Sequence, residues 1–207
     1  MSPANEGLRA AGPETRALDE EPWARLEAAP DGTSRLRLGG RFLPGWAGAL
    51  ALGLSRLHVT ILRGCACRMS RGRWTAFFDV QPLRGAPPLE SIDYPALALT
   101  GPSEAPDGSA CIRLEKYVLG PVVAGALQVG IRGRDCVGFL GGLLDRVATL
   151  SLFPEELHVE TYADVAEDRF RIRGLNGGPP PEDARHSLDR LLASLLIQER
   201  GPAHQSL

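Results

Sequence analysis

Two stretches of this chain switch from an alternating to a helical period through a glycine. They are RFLPGWAGAL, Arg41 to Leu50, and RDCVGFLGGLL, Arg134 to Leu144, and the numbers of Gly45 and Gly138 differ by 93. A repeat of that length in 207 residues leaves room for two small units of one plan rather than a single large domain. Each glycine has a structural use, since it permits a tight turn. Each also has a chemical one, because a helix start offers backbone N–H groups to an anion.

The pattern on either side of the turns gives the order of elements. In the first half Ser34 to Gly40 alternates as a strand, and Trp46, Ala49, Leu50, Gly53 and Leu54 follow at helical spacing. Leu57 to Cys67 and Arg73 to Gln81 read as strands joined across Ser-Arg-Gly. Residues 84 to 109 are rich in Pro, Gly and Ser with one short helix around Leu89 to Leu99, and Ala110 to Leu119 is a final strand. In the second half Gly125 to Gly133 is a strand and Phe139 to Leu150 a helix. Leu157 to Val165 and Arg169 to Arg173 form a strand pair, and Asp183 to Gln198 is a helix with Leu188, Leu191, Leu192, Leu195 and Leu196 on one face. Each half is thus expected to run strand, helix, strand, strand, helix, strand. The second ends in polar GPAHQSL without its last strand, so its edge is left open or completed by Ala110 to Leu119 or by another chain. Identical Leu-His-Val triplets at 57–59 and 157–159 align His58 with His158.

The expected fold class is therefore α+β, two ferredoxin-like βαββαβ modules in tandem with helices on one face of antiparallel sheets. The expected boundaries are a disordered acidic arm over 1–33, modules over 34–120 and 121–200, and a flexible tail over 201–207. The arm holds seven acids and three arginines among Pro and Ala, too few apolar groups to meet the entropy cost of order. Between Thr33 and Gly120 the balance reverses to eleven bases against six acids. A net charge of -2 argues against a generally basic nucleic-acid binder. The apolar runs near Gly45 to Leu54 and Val118 to Ile131 are too short to cross a bilayer. With no signal-like start and four scattered cysteines, a reducing cytoplasm without disulfides is expected.

Catalytic chemistry finds little footing. Cys65 and Cys67 fall on one strand face with Val59 and Ile61 and read as small buried hydrophobes, and Cys111 and Cys136 read likewise. His58 and His158 have no nucleophile beside them, and Asp135, Asp145, Glu155, Glu156, Glu160, Asp164, Glu167 and Asp168 have no metal-binding spacing, so solvated edges are their expected place. Nothing calls for a cofactor. Arg169, Arg171 and Arg173 share one strand face while Phe170 and Ile172 face the core, and Arg35, Arg37 and Arg132 point outward in the same way. Such a stripe could meet an anion. Arg71 to Val80, RGRWTAFFDV, is faintly similar to the aromatic strand of an RNA recognition module, with Trp74 and Phe78 on one face, but the neighbouring strands and the second half bring no matching rings.

At the two turns the sequence resembles tandem ACT domains, small regulatory modules with an Asp-Arg-Pro-Gly-like turn between a strand and an apolar helix. Arg134-Asp135-Cys136-Val137-Gly138 keeps the acid and the glycine, and Arg41-Phe42-Leu43-Pro44-Gly45 keeps the proline and the glycine. The likeness spans about residues 34 to 198 and is similar to the paired modules of nitrogen-sensing uridylyltransferases and glycine-cleavage regulators. It implies a non-enzymatic regulatory protein with an amino acid effector. The ligand would lie at Pro44, Gly45 and Trp46 in one copy, and at Asp135, Val137, Gly138 and Phe139 in the other. It also implies a homodimer or a regulated protein partner. The alternatives are a ligand-free interaction or dimerisation scaffold and, remotely, an RNA-binding protein. A pocket with unpaired N–H groups beside Gly138 would favour sensing, and a turn filled by Phe139 or Trp46 would favour the scaffold.

Overall fold

A computed structural model of the protein describes residues 21–29, 33–100 and 112–197. Residues 1–20 of the expected arm, Cys111 and the tail over 201–207 lie outside them. The elements are β1 (Trp23–Ala28), β2 (Ser34–Arg41), α1 (Trp46–Arg56), β3 (Val59–Arg68), β4 (Arg73–Pro82) and α2 (Tyr94–Leu99). They are followed by β5 (Leu114–Val123), β6 (Ala126–Arg134), α3 (Phe139–Thr149), β7 (Leu152–Tyr162), β8 (Val165–Gly174) and α4 (Glu182–Ser194). The strands form one antiparallel sheet in the order β1-β2-β4-β3-β7-β8-β6-β5. The helices lie on one face of it, so the tandem ferredoxin-like α+β plan holds.

The modules meet edge to edge at the middle of this sheet. β3 pairs with β7, and Cys65 stands opposite His158. Their numbers differ by 93, the same interval as Gly45 to Gly138. An approximate two-fold axis therefore passes through that pair, and each module completes the other's open edge.

The position of a closing strand is filled in both modules by a strand that comes first in sequence. The strand expected over Ala110 to Leu119 is Leu114–Val123, and it pairs with β6 of the second module. No strand follows α4 among the described residues beyond a single bridge between Leu114 and Leu196. In the first module the same place is taken by β1, which pairs with β2. The expectation of disorder through residue 33 is thereby corrected for Trp23–Ala28. Ala24 and Leu26 pack against the core, and Trp23 lies over Gly39 on the other face. Composition could not show this, because an edge strand needs only alternate apolar contacts once a neighbour supplies the hydrogen bonds.

The core lies between sheet and helices. Leu36, Leu38, Phe78 and Val80 meet Trp46, Leu50 and Leu54 in the first module, and Val129, Phe170 and Ile172 lie with Leu143 and Val147 in the second. Each such side chain contributes about 1.5–3 kcal/mol relative to exposure. α1 and α3 pack on each other across the axis through Gly48 and Gly141. A Cβ on Gly141 would stand 2.7 Å from the Leu52 backbone nitrogen, and one on Gly48 would stand 3.2 Å from Leu144 Cβ. The absence of side chains there sets the distance between the helices.

Two further expectations are corrected. A β-bulge between Ile61 and Arg63 inverts the alternation of β3. Gly64 and Ala66 then face the helices, while Cys65 is half-buried and Cys67 exposed on the other side. The cysteines are not core residues on the face of Val59. The Leu-His-Val triplets are not equivalent either. His58 sits in the turn before β3 with φ 54°, and 93 positions on stands Ser151 with φ 57°, whereas His158 lies within β7.

Candidate functional site

Both strand-to-helix turns place a left-handed glycine ahead of the helix, Gly45 at φ 89° and Gly138 at φ 86°. A side chain is strained in that conformation, which accounts for glycine in both copies. Hydrogen bonds close each turn on itself. The Trp46 N–H donates to the Leu43 carbonyl at 3.2 Å and the Phe139 N–H to the Cys136 carbonyl at 2.9 Å.

The insides of the turns differ in chemistry. In the first, Phe42 stacks on Trp46 at 4.7 Å, and Trp46 meets Trp74 edge-on at 5.3 Å. Trp46 is 2% exposed, and Pro44 stays on the outer surface. In the second, Asp135 stands where Phe42 does. Its N–H donates to the Asp164 carbonyl at 2.7 Å. Burial raises its pKa, while hydrogen bonds from the Cys136 N–H and the Thr161 side chain act the other way.

Asp168, expected at a solvated edge, is 3% exposed. It shares the helix-facing side of β8 with Ala166, Phe170 and Ile172. Burial pushes its carboxyl up to about 7, against a hydrogen bond that it accepts from the Glu160 N–H and with further upward push from Asp135. The signal for its burial was in the sequence, because the alternation that buries Phe170 and Ile172 extends back to position 168.

The two carboxyls line a cavity of about 30 Å³ together with Thr161, Gly138 and Phe139, and Ser55 and Thr60 reach it from the other module. That is room for about one water molecule. Of the residues the family resemblance singles out, the fold gathers Asp135, Gly138 and Phe139 here. Phe139 is 2% exposed and Val137 is exposed. Pro44, Gly45 and Trp46 belong to the other turn and do not line this cavity.

The helix-free face of the sheet is the second candidate. Asp79, 1% exposed, accepts hydrogen bonds from Arg35 at 2.7 and 2.9 Å and from Arg63 at 2.6 Å. These guanidinium groups hold its pKa down to about 2, with the Arg35 hydrogen bond foremost and burial opposing. Arg35 also lies over Phe77, 4.9 Å from the ring centroid. Glu155 and Glu156 pair with Arg171, Glu155 also with Arg173, and Arg132 bridges Glu115 and Glu167. The outward arginines of the sequence pattern are thus largely neutralised by carboxylates on adjoining strands. Between these pairs lie two shallow depressions of about 530 and 290 Å³ that share His158 and Arg169. Trp74 and Phe78 lie under the helices, and Phe77 is the ring of β4 on the open face.

Among the described residues no group of three or more His, Cys, Asp or Glu side chains is placed to hold a metal ion. No described helix is long and apolar enough to cross a membrane. Comparison with protein-family models, curated proteins and solved structures finds no match to this chain.

Proposed function

We propose that this protein is a non-catalytic regulatory module that acts by binding another protein on the helix-free face of its sheet. The observation that carries the reading is the contrast between the turns and that face. Rings fill the inside of the first turn and the second leaves room for about one water, while the open face presents shallow depressions bounded by charged groups. The tandem ferredoxin-like topology is consistent with a regulatory module, and kinship with ACT domains is part of the proposal. The closing strand precedes its module here instead of following it, so the kinship would be that of a rearranged relative.

A second reading is favoured by one observation. Asp135 is half-buried beside the Gly138 turn, where it could receive the ammonium group of a free amino acid while helix N–H groups receive the carboxylate. A thermal-shift screen of the whole chain against the twenty amino acids separates the two. The interaction reading expects no selective rise in melting temperature. A rise with one amino acid, lost in Asp135→Asn, would overturn it, since a ligand of the folded state must stabilise that state.

A further inference from the structure

The two depressions on the open face form one path across β4, β3, β7, β8, β6 and β5, from Phe77 to Val118. Six neighbouring strands at about 4.8 Å spacing give about 24 Å, the reach of roughly seven residues of extended chain. At the middle of the path stands Arg169, exposed and placed between His158 on β7 and Gly130 on β6. Of the three arginines lining the depressions, Arg63 pairs with Asp79 and Arg171 with Glu155 and Glu156, whereas Arg169 has no carboxylate partner among the described residues. Glu160, two residues along β7 from His158, likewise has no ion-pair partner among the described residues. A Cβ on Gly130 would meet nothing within 4 Å, so the floor beside Arg169 is open.

We infer that this path is the docking groove for an extended segment of a partner protein in which an acidic and a basic side chain are two residues apart, the acid on Arg169 and the base on Glu160. The inference rests on the interaction reading above and names its partner's chemistry. Diagonal neighbours on adjacent strands lie about 7–8 Å apart, and side chains two residues apart on an extended chain lie about 7 Å apart on one face, so the spacings agree. A phosphate backbone fits less well, because Glu156, Glu160 and Glu167 line the same depressions and repel a polyanion. A guanidinium left without a carboxylate can take one bidentately, which fixes the register of the incoming segment.

The test is selection of displayed random dodecapeptides on the immobilised full chain, followed by fluorescence anisotropy of the enriched peptides with the wild type, Arg169→Glu and Gly130→Leu. Enriched peptides are expected to share an acid two residues from a base. Arg169→Glu should weaken them at least tenfold, and replacing the peptide's acid by Lys should restore binding to that variant. Gly130→Leu, which fills the open floor, should abolish binding while leaving the melting temperature within a few degrees. Peptides that bind all three proteins equally would overturn the groove and leave the interaction reading standing. No enrichment, or saturable binding of a single-stranded oligouridylate lost in Arg169→Glu, would also overturn the groove.

Discussion

Replacing Asp168 by Asn removes the most perturbed carboxyl described in the chain with almost no change of shape. Its pKa rises from 3.8 in an open chain to about 7 in the fold. A carboxyl with a raised pKa binds its proton more tightly when folded, so it favours the fold in acid and that contribution declines as pH climbs from about 4 to about 7. Between pH 5 and pH 8 the loss from this one group is on the order of 2–3 kcal/mol, because each pH unit below the folded pKa is worth about 1.4 kcal/mol. Asp135 shifts in the same direction and adds to the slope. Asp168→Asn should therefore flatten the dependence, and at pH 8 it should be more stable than wild type by about 1–3 kcal/mol. Part of the gain is offset because the hydrogen bond to the Glu160 backbone is weaker for an amide oxygen. Urea unfolding followed by far-ultraviolet circular dichroism at pH 5, 6, 7 and 8 measures both proteins. A wild-type midpoint that stays level or rises from pH 5 to pH 8, or a variant less stable at pH 8, would refute the reasoning.

Three other outcomes are expected. Gly141→Ala should destabilise by about 1–2 kcal/mol despite the better helix former, since overpacking against the Leu52 backbone outweighs a propensity gain of up to about 1 kcal/mol; a raised melting temperature would count against the tight crossing of α1 and α3. Removing residues 1–33, which deletes β1, should lower the melting temperature by roughly 5 °C or more, as scanning calorimetry would read; an unchanged temperature would mean that β1 adds nothing to the sheet. Asp79→Ala should cost about 1–3 kcal/mol at pH 7, because two guanidinium groups lose their common acceptor. The wild-type advantage of that pair is present above pH 3.8 and fades as pH falls toward 2, since the folded pKa is depressed; a difference between the two proteins that persists undiminished near pH 2 would contradict this.

What was legible in the sequence is what local stereochemistry enforces. Gly45 and Gly138 carry left-handed backbone in front of their helices, and both the turns and the 93-residue repeat could be read from that requirement. The alternation in β2, β6 and β8 likewise set which residues face the helices, because strand side chains alternate whatever their neighbours are. Asp168 follows the same rule, since the alternation that turns Phe170 and Ile172 toward the helices extends back to it.

What remained for the tertiary structure concerns partners far along the chain. β1 gives no strand signal alone and becomes a strand because β2 offers it hydrogen bonds, while β5 reads as a strand without revealing that β6 is its neighbour. The bulge after Ile61 turns Cys65 and Cys67 onto the open face, and only the pairing of β3 with β4 reveals it. The candidate groove depends on Arg169, Glu160, Gly130 and Phe77, which lie on four strands whose order no local pattern fixes. A strand's own sequence determines its two faces, but the strand beside it is chosen by edge pairing and core packing over the whole chain.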